Sequence, residues 1–94
     1  MEKLTYIKKQ MELLKYSIEN DSISKLKPLT MYYFLQAKEA ASSISNEEIL
    51  DAINSWYEIA LNNVKNKNID TLSTNVDMVI HWINILIQEE KLPR

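Results

Sequence analysis

The stretch ISNEEILDAINSWYEIALNNVKNKN, residues 44–68, decides the fold. Ser45 and Glu48 stand at the spacing of a capping box, with Ile44 and Ile49 at the hydrophobic-staple positions around it, so a helix is predicted to begin at Asn46. Inside it, Leu50, Ile53, Tyr57, Ala60 and Val64 recur at helical spacing, broadened by Ile49, Trp56 and Leu61. Glu47, Asp51, Asn54, Glu58 and Asn62 line the opposite side. Such a pattern buries one face of a helix and wets the other. Lys65 suits the negative end of the helix dipole, and Asn66, Lys67 and Asn68 then make a turn without glycine.

The flanking segments carry the same period. Leu4, Ile7, Met11, Leu14 and Ile18 form one stripe over residues 2–19, opposite Lys8, Lys9, Glu12, Lys15 and Glu19, which reads as a solvated surface. A polar break follows at Asn20, Asp21, Ser22 and Ser24. Pro28 fits the first turn of a second helix, where its missing N–H costs nothing; a short turn from Ser22 to Lys27 precedes it. Leu29, Tyr33, Ala37, Ala40 and Ile44 are that helix's expected buried stripe, and Tyr32 projects to its wet side with Gln36, Glu39 and Ser43. Asp70 or Thr71 caps a fourth helix whose seam is Leu72, Val76, Val79, Ile83 and Leu86, supported by Ile80 and Ile87, and Pro93 stops it. The expectation is an all-α, antiparallel four-helix bundle with helices at about 2–19, 28–43, 46–65 and 70–90, in a single domain over 1–94. A mixed orthogonal packing is the alternative.

Composition narrows the function. Glycine is absent, which argues against phosphate loops, dinucleotide folds and tight β-hairpins, all of which use positive φ. Cysteine is absent as well, so disulfides and thiolate metal ligands are excluded and the core alone must hold the fold. The first twenty residues lack an apolar leader and mix Glu2, Glu12 and Glu19 with lysines, which points to the cytoplasm. The most apolar run, Val76 to Ile87, contains Asp77, His81 and Asn84 and is too short for a membrane span. Abundant Ile, Asn and Lys, with Arg94 the single arginine, suggest a low-GC bacterium or its phage. Residues 1–38 carry seven lysines against four acids and residues 39–94 four basic groups against nine acids. That asymmetry either draws the hairpins together or gives the bundle a basic and an acidic side.

Chemistry is thinly represented. A carboxylate-bridged di-iron bundle needs Glu-x-x-His on two helices, and the chain has one histidine, so no metal or cofactor is expected. Asp77 and His81 lie one turn apart and have the spacing to hydrogen-bond, the only nucleus for a minimal enzyme, yet nothing marks a nucleophile. Asp21, Ser22 and Ile23 resemble the attachment site of acyl carrier proteins, but Lys25 and Lys27 follow where that site is acidic. The lysines at 3, 8, 9, 15, 25 and 27, beside Met31, Tyr32, Tyr33 and Phe34, are a weak footprint for nucleic acid, diluted by thirteen acids. The excess that remains is apolar: Met78, Trp82 and Ile85 cluster on helix 4 away from its seam. With Tyr32, these residues are the expected contact for another protein or for a second copy, in a homodimer through helix 4. The chain is thus expected to be non-enzymatic and regulatory. In length and helix content it is similar to the small cytosolic helical immunity proteins that protect bacteriocin producers, a likeness that implies action by binding another protein.

Overall fold

Four amphipathic segments become four helices: α1 (Glu2–Asn20), α2 (Ile23–Ser42), α3 (Glu47–Lys65) and α4 (Ile69–Lys91). The computed structural model describes residues 2–91, with only the backbone of Lys91; Pro93 and Arg94 lie outside the described residues. Short connections alternate the chain direction. α1 packs on α2 and α4, α3 packs on the same two, and the diagonal pairs lie farther apart. The result is an antiparallel up-down-up-down bundle, 45 × 20 × 17 Å across its Cα atoms, and no described residue lies in a strand.

The core follows the predicted stripe on α1 throughout and on α3 and α4 in part; on α3 Ile49 is buried, while Leu50 and Tyr57 of the predicted stripe are only half-buried. Leu4, Ile7, Met11, Leu14 and Ile18 of α1 are buried, as are Ile53, Ala60 and Val64 of α3 and Leu72, Val76, Val79 and Ile83 of α4. Ile87 is buried where Leu86 was expected, and Leu86 packs half-buried beside it. Lys15 also departs from expectation. Instead of standing in solvent it leans across to α4, where its Nζ donates to Ser73 Oγ and to Asp77 Oδ2, both at 2.6 Å.

Helix 2 differs in both start and register. It begins at Ile23, after an extended Ser22, so Pro28 is an interior residue rather than the opening one. An interior proline costs about 3 kcal/mol, mostly through the bond it cannot donate and its clash with the preceding turn. Here the carbonyl deprived of a donor belongs to Ser24, which is exposed and open to water. Extending the helix brings Leu26 to 1% exposure, a burial that stabilises by about 2 kcal/mol. The buried line is then Leu26, Thr30, Phe34, Ala37 and Ala41; Leu29, Tyr33, Ala40 and Ile44 are only half-buried. Phe34, the bulkiest of the fully buried side chains, takes the centre and rotates the helix away from the predicted stripe.

That rotation carries Thr30 into the core, where Oγ1 has no hydrogen-bond partner. A buried unpaired hydroxyl is destabilising, and replacing it with a methyl of the same shape removes the penalty. Thr30→Val is therefore expected to stabilise the bundle by about 1 kcal/mol, raising Tm by roughly 4–8 °C in a domain of this size. A Tm that stays level or falls would show that the hydroxyl is satisfied in solution.

The caps also shift by a residue. Asn46, not Ser45, is the N-cap of α3, its side chain accepting from the N–H groups of Glu48 (3.0 Å) and Ile49 (3.4 Å). The short amide side chain reaches both orphan donors, and that is why Asn and Ser compete at this position. Between α3 and α4, Asn68 N–H donates to Asn63 O (2.8 Å) and Lys67 N–H to Val64 O (3.1 Å). These are the two bonds of a Schellman motif, and they place Lys67 at φ 58°, where glycine is usual. α4 begins at Ile69, so Asp70 and Thr71 lie inside its first turn instead of capping it, and that turn is closed by Leu72 N–H on Asn68 O. At the other end of the bundle Lys3 Nζ donates to the Ser43 carbonyl at 3.0 Å, a cation at the C-terminus of α2.

Candidate functional site

Helix 4 meets α1 along one flank and α3 along the other. Its core line of Leu72, Val76, Val79, Ile83 and Ile87 leaves the outward face to Thr74, Met78, His81 and Ile85. Two of those four are apolar. Met78 is 51% exposed and Ile85 43%, values that place both outside the packing of the bundle.

Between α3 and α4 runs an open groove of about 450 Å³ lined by Ala52 and Trp56 from α3 and by Met78, Trp82, His81 and Asp77 from α4. Helical spacing explains the lining. Ala52 and Trp56 are one turn apart on the flank of α3 that faces α4, and Met78 and Trp82 are one turn apart on the facing flank of α4. Both tryptophans of the chain thus lie in one groove. Each is half-buried and packs its inner edge against the core. Ala52, the smallest of the lining side chains, keeps the α3 wall low beside the two half-buried tryptophans.

Polar contributions to the groove are few. Asp77 turns its carboxylate to Lys15 rather than to His81, so the predicted Asp77–His81 hydrogen bond does not form. Lys15, as an ammonium, donates to both Ser73 and Asp77; it has no lone pair to activate the serine, and the trio acts as a clamp between α1 and α4. Asp77 is 58% exposed, so this ion pair is mostly in water and contributes about 1 kcal/mol or less. Sequence spacing could not reveal it, because Lys15 and Asp77 lie on different helices. Among the described residues, no group of three or more histidines and carboxylates is placed to hold a metal ion. No described helix is long and apolar enough to cross a membrane.

α3 and α4 expose an excess of acids, Glu47, Glu48, Asp51, Glu58, Asp70, Asp77 and Glu89, with Lys65 and Lys67 at the loop end, whereas α1 and α2 expose both signs, Lys3, Lys9, Lys25 and Lys27 among Glu2, Glu12, Glu19 and Glu39. The groove therefore opens on the acidic side of the bundle.

Of the residues predicted to form a contact, Met78, Trp82 and Ile85 share one face, and Tyr32 does not join them. Tyr32 is on α2, diagonal to α4 across the bundle. It belongs to a second apolar stripe with Pro28, Met31 and Leu35, which the sequence reading missed because it assigned α2 the wrong rotation. Met31 is 42%, Tyr32 55% and Leu35 50% exposed. No known protein-family model, curated protein sequence or solved structure matches this chain.

Proposed function

We propose that the chain is a non-enzymatic protein-binding module of the regulatory kind, the kind to which immunity proteins, antitoxins and phage-type inhibitors belong, with the α3/α4 groove as its contact. One observation carries this proposal. The α4 core line already closes the bundle, yet Met78 and Ile85 stand about half exposed beside two half-buried tryptophans. Methionine and aromatic residues are enriched at interface cores, and a contiguous exposed apolar patch on a small protein marks a contact site.

The acidic surroundings of the groove favour a partner segment with lysine or arginine flanking an apolar stripe, laid in as a helix in a groove. Catalysis has less behind it: Asp77 is engaged by Lys15, and His81 has no hydrogen-bonding partner among the described residues. Nucleic-acid binding through the amino-terminal half loses two of its candidate lysines, since Lys3 and Lys15 bond within the bundle. Replacing Met78 tests the proposal. Met78→Glu is expected to abolish recovery of the partner from cells of the source organism while helicity by circular dichroism stays unchanged; a folded variant that still recovers it would move the contact elsewhere.

A further inference from the structure

The second apolar stripe, on α2, has a pattern that matches its own reverse. Pro28, Tyr32, Leu35 and Glu39 follow one another in steps of four, three and four, with Met31 beside Tyr32, so they form one ridge on the outward face of the helix. Lys25, Tyr32 and Glu39 fall on a single line at seven-residue intervals, with the tyrosine in the middle. All these residues are exposed, and among the described residues neither Lys25 nor Glu39 has an ion-pair partner. The Tyr32 ring is steadied by an edge contact with the half-buried Tyr33, their centroids 5.2 Å apart.

We infer that α2 is a self-association surface, and that two copies of the chain pair antiparallel along it about a two-fold axis level with Met31 and Tyr32. In that register Pro28 of one copy lies opposite Leu35 of the other, the Met31 and Tyr32 side chains meet across the axis, and Lys25 comes within one residue, about 1.5 Å along the helix, of the second copy's Glu39. Symmetry makes that ion pair twice, the requirement of an isologous interface. The α3/α4 groove lacks this self-complementarity. Its surroundings are acidic on both helices, so two copies facing there set like charges against each other, while a basic partner does not. A dimer through α2 leaves both grooves open on its far sides, because α2 and α4 are diagonal.

One helix ridge is a small interface, so the pairing is weak and shows as a concentration-dependent mass. Sedimentation equilibrium of the full chain is expected to rise from 11.0 kDa toward twice that value as concentration increases. Leu35→Glu is expected to remain monomeric throughout. Lys25→Glu places like charges at both symmetric pairs and is expected to weaken the dimer roughly ten-fold, and adding Glu39→Lys to it restores the wild-type curve. Circular dichroism confirms that each variant is folded; should Leu35→Glu unfold, the charge series stands by itself. A wild-type chain that stays monomeric up to millimolar concentration overturns the inference, as does a charge series with no reversal and rescue, or a dimer that Met78→Glu abolishes and Leu35→Glu does not.

Discussion

Phe34→Ala is expected to destabilise the bundle by about 3–5 kcal/mol, whereas Leu35→Ala, one residue on, is expected to cost no more than about 0.5 kcal/mol. The contrast comes from the rotation of α2. Phe34 is 1% exposed and stacks at 5.5 Å on the ring of Tyr57 from α3, where Lys38 covers the same ring at 4.9 Å from its centroid. Truncation removes a full aromatic burial, leaves a cavity between α2 and α3, and strips Tyr57 of its partner. A domain of this size has about 5–15 kcal/mol in total, so the loss is a large fraction of its stability. Leu35 is 50% exposed and has little burial to lose. Urea denaturation of both variants at low micromolar concentration, where α2 pairing makes no contribution, checks the pair. Equal losses would show that α2 is rotated between the predicted stripe and the observed one.

That single rotation also explains what was legible in the sequence. On α1 the period alone identifies the buried line, and on α3 and α4 it does so to within a residue, Ile49 and Ile87 being buried beside the half-buried Leu50 and Leu86. On α2 the run Leu29, Met31, Tyr32, Tyr33, Phe34 and Leu35 offers apolar groups on every side, so spacing does not select a face. Selection comes from volume and from the neighbours: Phe34 fits against Tyr57, and the small Ala37 and Ala41 lie in line with it. Proline at position 28 invited a helix start there, a signal outweighed by the burial of Leu26. Met78, Trp82 and Ile85 were legible as a surplus because α4 has an unambiguous seam to measure them against. The Trp56 and Ala52 side of the groove was not, since it exists only once α3 lies beside α4.

Met78→Glu is the second large effect expected. The side chain is 51% exposed and contributes little to the core, so the melting curve should stay within about 0.5 kcal/mol of wild type. If the groove binds an apolar anchor, a carboxylate at its centre must be desolvated without a counter-charge, and hot-spot losses of this kind are about 2 kcal/mol or more, near thirty-fold in affinity. Lys9→Glu, on the far side of the bundle, should leave the same affinity within a few-fold. A nucleic-acid binder would show the opposite order, and its affinity would also fall by about three orders of magnitude on moving from about 50 to 200 mM salt. Titration of the purified partner by calorimetry with each variant separates the two. Trp82→Ala is the less informative substitution, because the indole also packs on the core and its loss lowers stability as well as binding.

A partner landing in the α3/α4 groove would be reported directly by the tryptophans, since Trp56 and Trp82 are the only two in the chain and both line it. Acrylamide quenching of intrinsic fluorescence, with and without a partner that lacks tryptophan or carries a non-fluorescent analogue, is the measurement. Readily quenched emission is expected in the free chain, with a blue shift and a several-fold lower quenching slope at saturation. Emission and slope that do not change while the partner is fully bound would contradict a landing in the groove.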